Sequence, residues 1–269
     1  MKIELTTAGG KFITLNLPKS PSDVPLRKFI DLDVGYNRLI EWVVGEEEEK
    51  SLYENRTYYA YKLAKLLSNY FEVDINDLLD LPAEDLLDDT GQLLPGVLKE
   101  HISNMQGKKD TVPEVTGTLL SILEYLDHIL LKYEPKLIGE FEYKGEKWIV
   151  PELRVLASNE IQFPKVTVMQ AIEAMEVERA AKHIAKDPEQ EGSAILTTML
   201  HRIAILCHKE GEEFNPDNFH NKVSLYVHHF KDITMDIALD ILFFSQNILE
   251  NYIKEIVSTT FSTLYQEEE

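Results

Sequence analysis

Gly9-Gly10-Lys11-Phe12-Ile13 is echoed by Lys144-Gly145-Glu146-Lys147-Trp148-Ile149, and the stretches around these two runs decide how the chain reads. On either side of Gly9-Gly10, Lys2-Ile3-Glu4-Leu5-Thr6 and Lys11 to Leu17 alternate apolar and polar residues. Alternation about a glycine pair predicts a β-hairpin, and Pro18 ends its second strand because proline cannot donate to a ladder. Glu140 to Val150 predicts a second hairpin turning at Lys144-Gly145, closed by Pro151.

Working outward, each hairpin is followed by a helix start. Val24-Pro25-Leu26-Arg27-Lys28-Phe29-Ile30-Asp31 is paralleled by Val166-Thr167-Val168-Met169-Gln170-Ala171-Ile172-Glu173. In the first half a helix is expected from about Leu26 into the Trp42 region, and another from Arg56 to Phe71 with Tyr59, Leu63, Leu66 and Tyr70 at helical spacing. Glu46 to Glu49 reads as an exposed charge run. Asp74 to Gly91 reads as short acidic helical pieces divided by Pro82, and residues 104–114 as a loop. A strongly apolar helix beginning near Leu119 is stopped by Pro135. In the second half, residues 152–165 read as an irregular or helical connection. Val168 to Lys186 is expected to be an amphipathic helix with Ala171, Ile172, Met175, Ala180 and Ile184 facing inward. Ser193 to Lys209 forms the next helix, and Asp236 to about Leu264 a long closing one. Ile122, Leu123, Tyr125, Ile129, Leu130 and Tyr133 align at constant offset with Ile241, Leu242, Phe244, Ile248, Leu249 and Tyr252. The expected fold is therefore α+β, mainly α, in two related halves (1–136 and 137–269), each a small β-hairpin packed on a helical bundle.

The chain has 269 residues and a formal charge of −20, from 27 basic and 47 acidic side chains shared evenly between the halves. So acidic a surface repels phosphate backbones and anionic lipid, which argues against nucleic-acid and membrane partners. A single cysteine, Cys207, allows no intrachain disulfide and suits a reducing compartment. Apolar runs such as Ile241-Leu242-Phe243-Phe244 are far too short to span a bilayer, and no signal peptide is evident, so a cytoplasmic protein is expected.

Catalytic patterns are sparse. His201 and His208 are seven residues apart, two helical turns, where helical metal pairs sit three or four apart. Cys207-His208 and His228-His229 are sequence neighbours whose side chains diverge on a helix. From Asp74 the acidic segment places Leu78 and Leu79 where a calcium loop requires a ligand and a glycine. No glycine-flanked serine elbow or phosphate loop is found. The sequence calls for no cofactor and no metal. A metal-dependent hydrolase built on the histidines of residues 201–229 is the least favoured of three readings. The remaining feature is the broad apolar face of the closing helix, where Phe244, Ile248, Tyr252, Phe261 and Tyr265 are the candidate partner-binding residues.

Leu17-Pro18-Lys19-Ser20-x-x-Asp23-Val24-x-Leu26-x-x-Phe29-Ile30 resembles an opening seen in small accessory proteins of tailed bacteriophages. Trp148-Ile149-Val150-Pro151-Glu152 followed by Val166-Thr167-Val168-x-Gln170-Ala171-Ile172-Glu173 is similar to it. Such proteins are described as tail-assembly chaperones or minor virion proteins. The resemblance covers about a third of the chain, consists of fold-setting positions and carries over no catalytic or ligand residue. It implies an assembly chaperone in the host cytoplasm that binds a phage structural protein (a capsid or tail component) or itself. Its alternative is a structural or cargo protein retained in the virion.

Overall fold

The computed structural model describes residues 1–45, 52–82, 112, 115, 117–150, 154–155, 161–162, 167–213 and 215–242. It is an α+β protein, mainly helical, that divides into two compact units, Met1–Glu134 and Pro135–Glu269. The charge run at 46–49, the acidic and loop segments from residue 83 to 111, and the closing helix beyond Leu242 lie outside the described residues. The helix–helix alignment at 244–252 lies there too.

The first unit opens on the expected hairpin. Strands β1 (Lys2–Thr6) and β2 (Phe12–Asn16) pair antiparallel with Leu5 opposite Ile13 and Ile3 opposite Leu15. Leu5, Ile13 and Leu15 are buried on one face, as a period of two requires, and Phe12 stands exposed on the other. In the turn, Gly10 takes a positive φ of 81°. The turn is also tied down over long range: the Ala8 N–H donates to Asp80 O at 2.6 Å and the Gly9 N–H to Asp80 Oδ2 at 3.1 Å. Asp80 follows the short helix α3 (Ile75–Leu79), which Asp74 caps by accepting the Asn76 N–H.

Before α3 come α1 (Leu26–Gly45) and α2 (Leu52–Phe71). Leu26, Phe29, Leu32, Tyr36 and Leu39 of α1 are buried at three- and four-residue steps, as are Leu63, Leu66, Leu67 and Tyr70 of α2. The helices meet closely at Gly35, where an added Cβ would stand 2.5 Å from Leu66 Cδ1. Helix α4 (Leu119–Leu126), capped by Thr118, buries seven of its eight residues, the all-round burial of a helix inside a core. Tyr125 donates from its hydroxyl to Pro18 O at 2.8 Å, which anchors the end of β2. A π turn (Asp127–Leu131) follows, with buried Asp127 held by Lys132 at 3.2 Å.

In the second unit, β3 (Glu140–Tyr143) and β4 (Glu146–Ile149) pair antiparallel about Lys144-Gly145. Both turn residues have positive φ, 52° and 75°, the conformation a two-residue hairpin turn demands. A third strand, β7 (His208–Lys209), adds to the edge of β4 with Lys209 opposite Trp148. The connection expected to be irregular or helical contains a two-residue ladder, β5 (Arg154–Val155) with β6 (Ile161–Gln162). Three helices complete the described part: α5 (Val168–Ile184), α6 (Glu191–Leu206) and α7 (Phe219–His229); a further helix begins at residues 235–242. Its Met235, Ala238, Ile241 and Leu242 are buried.

One expected packing face is corrected. On α5 the inward residues are Ala171 and Ala174, while Ile172, Met175, Ala180 and Ile184 are exposed. Two polar contacts to α6 set this rotation: Gln170 Nε2 donates to Ile205 O at 2.9 Å, and Arg202 pairs with Glu178 at 2.6 Å. Small side chains at 171 and 174 let α5 lie close to α6, whose Ala194 is equally buried. Hydrophobic weight alone pointed to the wrong face.

Candidate protein-docking face

Phe244, Ile248, Tyr252, Phe261 and Tyr265 all lie outside the described residues. The histidines are placed, and they scatter. His201 uses Nδ1 on Thr197 O of its own helix at 2.8 Å, His208 is on β7, and His220 at the start of α7 pairs with Glu173 of α5 at 3.0 Å. His228 and His229 are neighbours on α7, His228 exposed and His229 half-buried. Among the described residues no three His, Cys, Asp or Glu side chains come together closely enough to hold a metal ion. Cys207 is buried and burial pushes its thiol far up, the opposite of nucleophile activation.

A polar cluster does form beneath the second hairpin. Phe141, Tyr143, Glu146 and Trp148 share one face of β3–β4, as their cross-strand register dictates, and meet Tyr226, His229 and Phe230 from α7 and its end. Trp148 is fully buried, with its ring 4.7 Å from Tyr226 and 4.6 Å from Phe230, centroid to centroid. Glu146 accepts from Lys209 at 2.7 Å, which holds its carboxyl below the usual range. Its other oxygen is 3.4 Å from His229 Nε2. Burial pushes the His229 imidazole below its ordinary 6.5, against an opposing pull from Glu146. Tyr143 Oη, Glu146 Oε2, Trp148 Nε1 and His229 Nε2 are sealed from solvent without a hydrogen-bond partner. Carboxylate and imidazole are the ingredients of acid–base chemistry, but the two atoms that face each other, Glu146 Oε2 and His229 Nε2, are sealed from solvent. The cluster is an internal clamp between hairpin and helix.

The first unit carries a cleft of about 560 Å³ between the hairpin and the helices, lined by Asn16, Pro18, Asp23, Lys28 and Tyr70 among others. Two of its charged side chains, Asp23 and Lys28, are engaged locally. The Asp23 carboxylate accepts the Lys19 and Ser20 N–H groups, which lowers its pKa, and Lys28 pairs with Glu72 at 2.9 Å.

Helix α5 leaves a row of apolar side chains exposed. Its N-terminus is fixed by a reciprocal cap, with Thr167 N–H donating to Gln170 Oε1 at 2.8 Å and Gln170 N–H to Thr167 Oγ1 at 3.2 Å. The helix then presents Val168, Ile172 and Met175, at i, i+4 and i+7, with 60%, 46% and 45% of their surfaces exposed; Met169 flanks them. A row at this spacing is the pattern by which a helix docks on another apolar surface. The signal that could have found it is the pairing of Gln170 and Glu178 with Ala171 and Ala174 on one face, which marks that side as the packed one.

Comparison with protein-family models, with curated proteins and with solved structures finds no match. No described helix is long and apolar enough to cross a membrane.

Proposed function

We propose that this chain is a non-enzymatic protein-interaction factor in bacteriophage morphogenesis: an assembly chaperone that holds a capsid or tail protein on the apolar face of α5. The observation that carries the reading is the exposed row Val168, Ile172 and Met175 on a helix whose other side is fixed to α6. The phage setting rests on the resemblance of residues 17–30 and of 148–152 with 166–173. The mechanism is reversible burial. Covering an aliphatic side chain contributes about 1.5–3 kcal/mol when complete, so a partly exposed row of three supports binding that assembly can still reverse. The charge of −20 keeps the loaded complex soluble by mutual repulsion. We further infer that the two units descend from one duplicated hairpin-and-helix module, supported by hairpins that both turn through a left-handed glycine, Gly10 and Gly145.

The test is affinity capture from phage-infected cells with the natural chain and with Ile172→Asp/Met175→Asp, beside mass spectrometry of purified particles. The natural chain should recover an identified capsid or tail protein, the double variant should lose it, and particles should lack the chain. Recovery of no phage structural protein by the natural chain would overturn the proposal. A fixed copy number in particles would make it a virion component instead.

A further inference from the structure

The first hairpin uses only half of the backbone groups of β2 to hold β1. The Met1 ammonium donates to Leu17 O at 2.6 Å, the Leu17 N–H to Met1 O at 2.7 Å, and the Thr7 N–H to Lys11 O at 2.8 Å. Bonded positions alternate in an antiparallel pair, so Ile3 with Leu15 and Leu5 with Ile13 complete the ladder. Thr14 and Asn16, between them, direct their N–H and C=O groups away from β1. Among the described residues this sheet has two strands. The cleft of about 560 Å³ lies along that outer edge: Thr14 and Asn16 line it, and no residue of Lys2–Thr6 does. Its facing wall is built by Val24 and Pro25 ahead of α1, Lys28 within it and Phe71 at the end of α2.

We propose that this cleft takes an extended segment of a partner protein, which adds to β2 as a third strand. An open strand edge beside a groove is the arrangement in which main-chain hydrogen bonds bind a peptide and alternate side chains select it. The side chains turn the choice away from a small anion. The Asp23 carboxylate is folded onto the Lys19 and Ser20 N–H groups, and Lys28 is held by Glu72 at 2.9 Å. The directional groups along the edge are then peptide groups, and the chemistry that matches them in register is another peptide backbone, roughly 4.8 Å away. Phe12, 73% exposed, shares the solvent face of β2 with Thr14 and offers a cross-strand partner to a β-branched or aromatic side chain. The fitting segment is therefore short, extended and rich in β-branched residues. A second copy fits less well. Its own β2 edge is walled by α1 and α2 in the same way, and two recessed edges cannot close to the spacing of a ladder. The site belongs to the first unit and rests neither on α5 nor on the phage setting.

The test is amide hydrogen exchange by NMR on the whole chain, titrated with a blocked pentapeptide of alternating threonine and valine. In the free protein the Ile13 and Leu15 amides should exchange slowly and those of Thr14 and Asn16 fast; millimolar peptide should slow the second pair. The same peptide N-methylated at alternate residues keeps its side chains and loses its ladder donors, and should bind about ten-fold more weakly. Thr14→Pro removes an outward N–H that the β1 ladder does not use, a position where an edge strand tolerates proline. It should weaken the unmodified peptide about ten-fold while Ile13 and Leu15 stay protected; if it disrupts the hairpin, the methylated peptide on the natural chain decides alone. Slow Thr14 and Asn16 amides in the free chain would mean an edge already paired and would overturn the proposal. So would no response to the peptide, equal binding of its methylated form, or protection that grows with protein concentration alone, which would make a second copy the occupant.

Discussion

Replacing Trp148 separates two contributions that a contact count would merge. The ring is completely buried between Tyr226, Phe230 and Phe141, and Lys209 Nζ lies 5.6 Å from its centroid. Trp148→Ala deletes the ring and leaves a cavity, a change that costs about 3–5 kcal/mol. Trp148→Phe keeps a ring in the same rotamer family and gives up the smaller part of the indole, about 1–2 kcal/mol of transfer and packing. Against that stands Nε1, sealed from solvent with no acceptor. Removing an unsatisfied buried donor returns about 1–3 kcal/mol. Trp148→Phe should therefore cost no more than about 1 kcal/mol, while Trp148→Ala costs several times that. Urea unfolding followed by far-ultraviolet circular dichroism measures both. A Phe variant that loses more than about 2 kcal/mol would refute the reasoning, because a cost beyond the transfer and packing loss would mean that the indole N–H is bonded in the folded protein.

Two histidines should move stability in opposite directions with pH. His229 has its pKa lowered by burial from 6.5, so the unfolded chain takes up the proton first. Its stabilising contribution is complete above 6.5 and declines as pH falls towards the lowered value, a decline that His229→Gln should remove. The Glu173 hydrogen bond raises His220 above 6.5; its contribution is complete below 6.5 and lost as pH rises through the raised value, a loss absent from His220→Gln. Urea midpoints measured from pH 5 to 8 check both, and identical profiles for His229→Gln and the natural chain would place that imidazole in water. Gly35→Ala gains about 1 kcal/mol of helix propensity but forces Cβ to within 2.5 Å of Leu66 Cδ1, an overpacking cost of about 1–3 kcal/mol, so it should destabilise. In a Leu66→Ala background the same change should become stabilising, which a double-mutant cycle reads directly.

What the sequence determined by itself is whatever depends on neighbours along the chain. Both hairpins follow from alternation about glycine turns, with Leu5 and Ile13 buried and Lys144-Gly145 left-handed. The helix beginning at Val168 is announced by the run Val166 to Glu173 that parallels Val24 to Asp31, and the core helix near Leu119 by its apolar density. These are local matters of backbone sterics, capping and period. Only the tertiary structure decided which face of α5 is packed. Gln170 reaches Ile205 and Glu178 reaches Arg202, partners that lie 35 and 24 residues away, and these contacts outweigh the hydrophobicity of Ile172 and Met175. The same holds for the clamp around Trp148, where β4, β7 and α7 bring Glu146, Lys209 and His229 together from three separate stretches. Rotation of a helix about its axis and the meeting of distant side chains depend on what the rest of the chain supplies, and no window of neighbouring residues contains that information.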